Sequence, residues 1–209
     1  MKAYIVSDDK EIINFLPELE ITDSLKEAKI VIFGNGPIVS PSLYKEKKIS
    51  ELDLKCDINR DRSDKAIYTK LRSDQIAIGI GRGACFLAVM NGASLIQYTY
   101  KKNKNRSYDV QFAFQDKIYA FSVISDWVQS INLEKCTDFK LHGRSREAID
   151  YIASNDTKRF MRYNGDPEVV TFHKSKNPLC ICVQFHPEWM PEAYSTKLIR
   201  ELIYEYANS

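Results

Sequence analysis

The chain has 209 residues, enough for one large α/β domain or two very small ones. With 44% hydrophobic and 28% charged residues its composition is that of an ordinary soluble globular protein, and no apolar run approaches the ~20 residues a membrane helix needs. A formal net charge of +2, with both signs interspersed, gives no electrostatic case for nucleic-acid or membrane binding.

In chain order, Ala3 to Val6 reads as a first strand ending at Ser7, followed by a helix over Asp8 to Leu16 with acids in its first turn. The N-terminus enters this pattern directly and does not read as a signal peptide. Ala28 to Phe33 is a second apolar strand running into the Gly34 to Pro37 turn. Asp61 to Arg72 reads as a polar helix with an Asp near its start. Gln75 to Ile80 reads as a third strand, leading through a Gly81 turn into a helix that ends near Asn91. Alternating strands and helices of this kind predict an α/β fold, a three-layer sandwich with a mostly parallel central sheet of the flavodoxin-like type.

Beyond Ala93 the pattern becomes strand-rich. Ser107 to Phe114 and Lys117 to Ile124 predict a hairpin turned at Gln115-Asp116. Phe139 to Ile152 and Glu168 to His173 are strand-like, Leu179 to Phe185 is a strongly apolar last strand, and Pro191 to Tyr206 is a closing helix with Pro near its first turn. The basic run Lys101 to Arg106 reads as a solvated loop. No repeat and no Pro-, Gly- or Ser-rich linker divides the chain, so residues 1–209 read as one domain. The five cysteines (Cys56, Cys85, Cys136, Cys180, Cys182) are odd in number and none has zinc-ligand spacing. They read as reduced thiols of a cytoplasmic protein, with Cys180 and Cys182 on one buried strand face.

Chemistry concentrates in two stretches. Ile78 to Leu95 (IGIGRGACFLAVMNGASL) is a strand, a sharp glycine turn and a helix start, which is how α/β hydrolytic folds present a nucleophile. At the tip stands Gly81, which has no side chain. Val183 to Trp189 (VQFHPEW) carries His186 and Glu188, a pair fit to activate a nucleophile. His142 and His173 read as packing or surface residues, and Trp127 and Trp189 as core or pocket-wall aromatics.

These stretches, with three others in order, resemble the class I glutamine amidotransferase-like superfamily, and within it most the γ-glutamyl-γ-aminobutyrate hydrolase branch. Gly34 to Glu46 (GNGPIVSPSLYKE) is similar to that branch's Gly-Gly-x-Asp-Val-x-Pro-x-Leu-Tyr-Gly-Glu turn, Asn59 to Asp64 to its Arg-Asp helix start, and His142 to Ile149 to its Asp-Gly-x-x-Glu-Ala-Ile strand. Gly79 to Gln97 resembles its Gly-Ile-Cys-Arg-Gly elbow and helix, and Val183 to Trp189 contains its Gln-Phe-His-Pro-Glu-Trp motif outright. The resemblance implies a Cys thiolate that attacks a γ-carboxamide, with His186 as its base and Glu188 orienting the base. It implies oxyanion donors at Gly36 and at the Arg82 amide, substrate contacts at Asn35, Cys85 and Trp127, and neither metal nor organic cofactor.

The chain departs from that pattern where the chemistry is most demanding. Gly81 stands at the nucleophile position, Cys85 replaces a substrate-seating Gln, Asn35-Gly36 replaces Gly-Gly, and Ile38 replaces Asp. Ile124 to Val128 replaces an Asn-Ser-x-His-His stretch, and Ala93 replaces a second Gly. The leading expectation is therefore a catalytically degenerate relative, a pseudoenzyme, that binds a glutamine-like or γ-glutamyl metabolite or a partner protein. One alternative is an active enzyme, with Cys85 one helical turn along as substitute nucleophile or Gly81 as an engineered replacement of Cys. Another is a structural or interaction module. No synthetase domain is fused to the chain, so a synthetase partner would act in trans.

Overall fold

The strand-forming stretches are short runs of Ile, Val, Phe and Cys whose alternate residues enter two different cores. The computed structural model describes residues 1–7, 11–49, 55–99, 106–126, 128–145, 150–153, 156–161, 165–173 and 177–208. The elements are β1 (Lys2–Ile5), α1 (Ile12–Phe15), β2 (Glu20–Ile21), β3 (Ile30–Phe33), α2 (Ile58–Tyr68), β4 (Ile76–Ile80), α3 (Arg82–Met90), β5 (Ser94–Ile96) and β6 (Tyr98–Thr99). They continue with β7 (Arg106–Phe114), β8 (Lys117–Ser125), β9 (Ser130–Asn132), β10 (Phe139–Ser145), β11 (Asp150–Ala153), β12 (Asp156–Met161), β13 (Pro167–Phe172), β14 (Leu179–Val183) and α4 (Tyr194–Asn208). Short 3-10 turns lie at Pro41–Tyr44 and Pro187–Trp189.

The nine-stranded sheet has the order β2-β1-β3-β4-β14-β13-β10-β7-β8. The four pairings from β2 to β14 are parallel and the four from β14 to β8 antiparallel. Seven of its nine strands therefore run one way, and β13 and β7 run the other. On one face Ile30, Ile32, Ile78, Ile80, Ile181 and Val183 pack against Phe15 and Leu16 beside α1 and Leu198, Ile199, Leu202 and Ile203 of α4. On the other, Val31, Phe33, Ala77, Cys180 and Cys182 pack against Ala84 to Val89 of α3 and Tyr68 of α2. This is the expected three-layer α/β arrangement; each fully buried aliphatic or aromatic side chain contributes roughly 1.5–3 kcal/mol.

Several boundaries differ from the sequence reading, each for a local reason. Helix α2 begins at Ile58, not Asp61, because the Asp57 side chain caps it, accepting from the Asn59 and Arg60 amides at 2.9 and 3.1 Å. The first helix shrinks to Ile12–Phe15, its expected Asp8 start lying outside the described residues. Phe139 to Ile152 divides into β10 and β11, and β11 pairs with β12 and β6 in a small separate sheet. The β7–β8 hairpin turns at Gln115 and Asp116, both at positive φ (48° and 58°), as a tight two-residue connection requires. His142 is buried, its Nε2 3.1 Å from Thr171 Oγ1, and His173 is exposed. All five cysteines are free. Most of the basic Lys101 to Arg106 run lies outside the described residues.

Candidate active site

Three parallel strands deliver the site. The carboxyl end of β3 continues into Gly34–Pro37, that of β4 into Gly81, and that of β14 into His186. The carboxyl end of β8 is brought to the same place, where the His186 amide donates to Ile124 O at 2.9 Å. Crevices at strand carboxyl ends are the usual ligand position in such sheets.

Gly81 occupies the tip of the β4–α3 turn with φ 56° and ψ −114°, a conformation L residues rarely adopt. Its amide is held by Val183 O at 2.9 Å. A Cβ built there would lie 2.8 Å from His186 Cε1, 3.2 Å from His186 Nε2 and 3.1 Å from Asn35 Oδ1. A side chain at position 81 would thus point at the imidazole edge, as a nucleophile should, but the ring is already too close to admit it. Gly83 is required for a different reason: a Cβ would fall 1.9 Å from Phe33 O, so only glycine lets α3 start flush against the end of β3.

His186 is fully buried and both ring nitrogens are engaged. Nδ1 lies 2.6 Å from Glu188 Oε1 and Nε2 lies 2.9 Å from Asp126 Oδ1. Its ring stacks on Trp189, and the Thr196 hydroxyl of α4 donates to Met190 O at 2.7 Å and Pro187 O at 3.3 Å, fixing the turn that carries Glu188. Burial alone would lower the His186 pKa. Hydrogen bonds to Asp126 and then to Glu188, with their charges, outweigh it and raise the pKa to about 9. At neutral pH the residue is an imidazolium, which cannot accept a proton.

Arg82 acts through its side chain as a structural tie. Its guanidinium donates to Asp61 at 2.6 Å, to Asp64, and through Nε to Pro37 O at 3.0 Å. Asp64 also receives Arg60 Nε at 2.8 Å, and Asp61 receives the Ser40 amide at 2.9 Å. Asp61, Asp64 and Tyr68 form the buried stripe of α2, so this helix docks by an ionic network where an apolar face is usual. The Arg82 amide belongs to the open first turn of α3, beside an exposed Gly36 whose built Cβ would lie 3.7 Å from Arg82 Cδ.

The structure brings Gly81, Asn35, His186 and Glu188 together, with Gly36 and Arg82 adjoining. Cys85 does not join them. Its thiol is buried and donates to Gln184 Oε1 at 3.6 Å, and burial pushes it up to about 12, with Arg82 opposing in part. A buried thiol held in its neutral form lacks the partial exposure and lowered pKa of reactive cysteines. Trp127 lies outside the described residues. Among the described residues no group of three or more His, Cys, Asp and Glu side chains is placed to hold a metal ion, and no helix is long and apolar enough to cross a membrane.

Sequence reasoning missed Asp126, noticed only as part of a stretch lacking histidine, because its partner lies 60 positions away. It also missed Gln129, whose side chain brackets Val39 through Val39 N (2.9 Å) and Val39 O (2.8 Å), joining the Asp126 loop to the turn after Gly36. A polar residue after an apolar strand gives no signal of either partner.

No curated protein matches the chain. Among solved structures it is similar to one from Thermoplasma acidophilum described as a GMP synthase component, at 16% identity and TM-score 0.62, covering 96% of this chain and 90% of that one. PurLQS from Thermotoga maritima matches at 14% identity and TM-score 0.62 over 98% of each chain. A glutamine amidotransferase from Thermotoga maritima matches at 15% and TM-score 0.55, over 97% of this chain and 86% of that one. At these identities the likeness establishes the glutamine amidotransferase-like fold. The Peptidase C26 family model matches residues 12–188, from α1 through the His186–Glu188 turn, and the chain belongs to that family.

Proposed function

We propose that this chain is a catalytically silent class I glutamine amidotransferase-like protein, nearest the γ-glutamyl-γ-aminobutyrate hydrolase branch. It keeps the fold and the His–Glu pair for binding without hydrolysis. The observation that carries this reading is Gly81 at the tip of the elbow, aimed at His186 and without an atom to attack a carbonyl. An acyl-enzyme needs a nucleophile at that point, and loss of a triad nucleophile costs roughly six orders of magnitude in kcat. The buried, neutral Cys85 thiol argues against a replacement. The closeness of the His186 ring to position 81 argues against a simple engineered removal of Cys, which would leave space for the sulfur.

What the site retains suits recognition. The N-terminus of α3 opens onto it, Asn35 lies at the elbow, and the exposed Gly36–Pro37 turn forms its rim. We assign it a glutamine-like or γ-glutamyl small molecule, or a partner protein that covers this rim. A synthetase partner in trans is the form of partner that the fold likeness to a GMP synthase component favours. Calorimetry with glutamine and γ-glutamyl amides tests the small-molecule arm, and affinity capture of a synthetase tests the partner arm. Saturable binding without product formation supports the reading; turnover overturns it.

A further inference from the structure

Resting on the reading that the nucleophile is absent, we infer that Asp126 has taken the place of the missing thiolate as the anionic partner of His186, so that two changes silence this site.

An imidazole donates from both nitrogens only as a cation, and ionised carboxylates only accept. His186 presents Nδ1 to Glu188 at 2.6 Å and Nε2 to Asp126 at 2.9 Å, so the charged ring between two carboxylates is the state that satisfies both contacts. The ring is inaccessible to solvent, while the Asp126 side chain keeps 31% of its surface exposed. Without Asp126, the Nε2 proton would have no anion to meet, since position 81 offers no thiolate. The nitrogen that would take a thiol's proton is thus held by a carboxylate from the β8 loop.

The two changes depend on each other. A Cβ at position 81 would come within 2.8 Å of the ring, and the ring cannot retreat freely, pinned by Glu188, Asp126 and the stacked Trp189. Glycine at 81 lets the ring sit where Asp126 holds it, and Asp126 in turn satisfies the proton that glycine leaves without a sulfur. Asp126 is a positioning residue in this arrangement. A ligand that is to meet His186 must displace it or bind beyond it.

The test is the titration of His186 by imidazole NMR in the parent chain and in Asp126→Asn and Asp126→Glu. It is joined to peptide-resolved iodoacetamide labelling of position 81 in Gly81→Cys and in Gly81→Cys/Asp126→Asn. In the parent, both ring nitrogens carry protons at neutral pH. The midpoint lies near 9, falls by at least about one unit in Asp126→Asn, and recovers in Asp126→Glu. The introduced thiol reacts at least about tenfold faster in the double variant than in Gly81→Cys, because removing the carboxylate favours the thiolate. A His186 midpoint unmoved by Asp126→Asn, or equal thiol reactivity in the two variants, overturns the inference. Amide hydrolysis by the parent would overturn the reading beneath it while leaving the titration result standing, so the two failures are distinguishable.

Discussion

The imidazole of His186 lies face to face with the indole of Trp189, centroids 3.8 Å apart and planes 16° from parallel. With the ring charged, this is a cation–π contact between a fully buried imidazole and a half-buried indole, and it closes one face of the site. Trp189→Leu keeps an apolar wall but removes the π face. It should lower the His186 pKa from about 9 and cost about 1–3 kcal/mol of stability, measured by NMR titration and denaturant midpoint.

Arg82 should be more costly to lose than its surface counterparts. Arg82→Ala leaves Asp61 buried without its cation and Asp64 with Arg60 alone, and should destabilise by about 3–5 kcal/mol. Arg82→Lys should recover little, since an ammonium cannot reach Asp61, Asp64 and Pro37 O together. Lys2→Ala, which removes an exposed pair with Glu27, should change stability by less than about 1 kcal/mol. A small effect at Arg82 would mean that α2 does not dock through this network.

Alkaline pH should loosen the site. His186 titrates in the folded state at about 9, above its ordinary 6.5, so the stabilisation it receives is complete below 6.5 and is lost as pH rises through 9. Asp166 acts at lower pH: burial raises its carboxyl from 3.8 to about 7, so the stability of its protonated form is lost as pH rises from 3.8 through 7 and changes no further above that. His142 opposes both at the acid end: burial lowers it from 6.5 to about 4, so its neutral form is favoured until pH falls through that range. Thermal melts from neutral to alkaline pH should show Tm falling, and Asp126→Asn should flatten the part of that fall centred on His186.

Position 81 should resist any side chain. Gly81→Ala forces a residue with Cβ into φ 56° and within 2.8 Å of His186 Cε1, and should cost at least about 1–3 kcal/mol. Gly92→Ala is the useful contrast, since its φ of 97° is also unfavourable but a Cβ there meets nothing within 4 Å. The difference between the two variants isolates the crowding at His186 from backbone strain.

How far the sequence carries can be judged at particular residues. The Ile, Val and Phe runs of β3, β4 and β14 and the Gln115-Asp116 turn are local signals with one physical meaning, and they led correctly to the layered sheet. Gly81, His186 and Glu188 were legible because a strand–turn–helix and a short motif specify where these residues fall at the strand ends. Asp57 as a cap was missed because Asp61 offered an equally good acid further in, and tertiary contact with Arg82 claimed the latter. Asp126 was illegible as a partner of His186 because its role comes from where the β7–β8 hairpin ends in space. The pairings of β5 with β9 and of β11 with β6 likewise join short strands far apart in the chain, with no local turn to announce them.

The most direct measurement is glutamate release from glutamine and a panel of γ-glutamyl amides by the unmodified chain, at neutral and alkaline pH, with and without iodoacetamide. A glycine facing a carboxylate-bound imidazolium should give no release above the protein-free rate under any of these conditions. Sustained, iodoacetamide-sensitive release would mean that a thiol in this chain acts as nucleophile after all, and would contradict the silent site proposed for it.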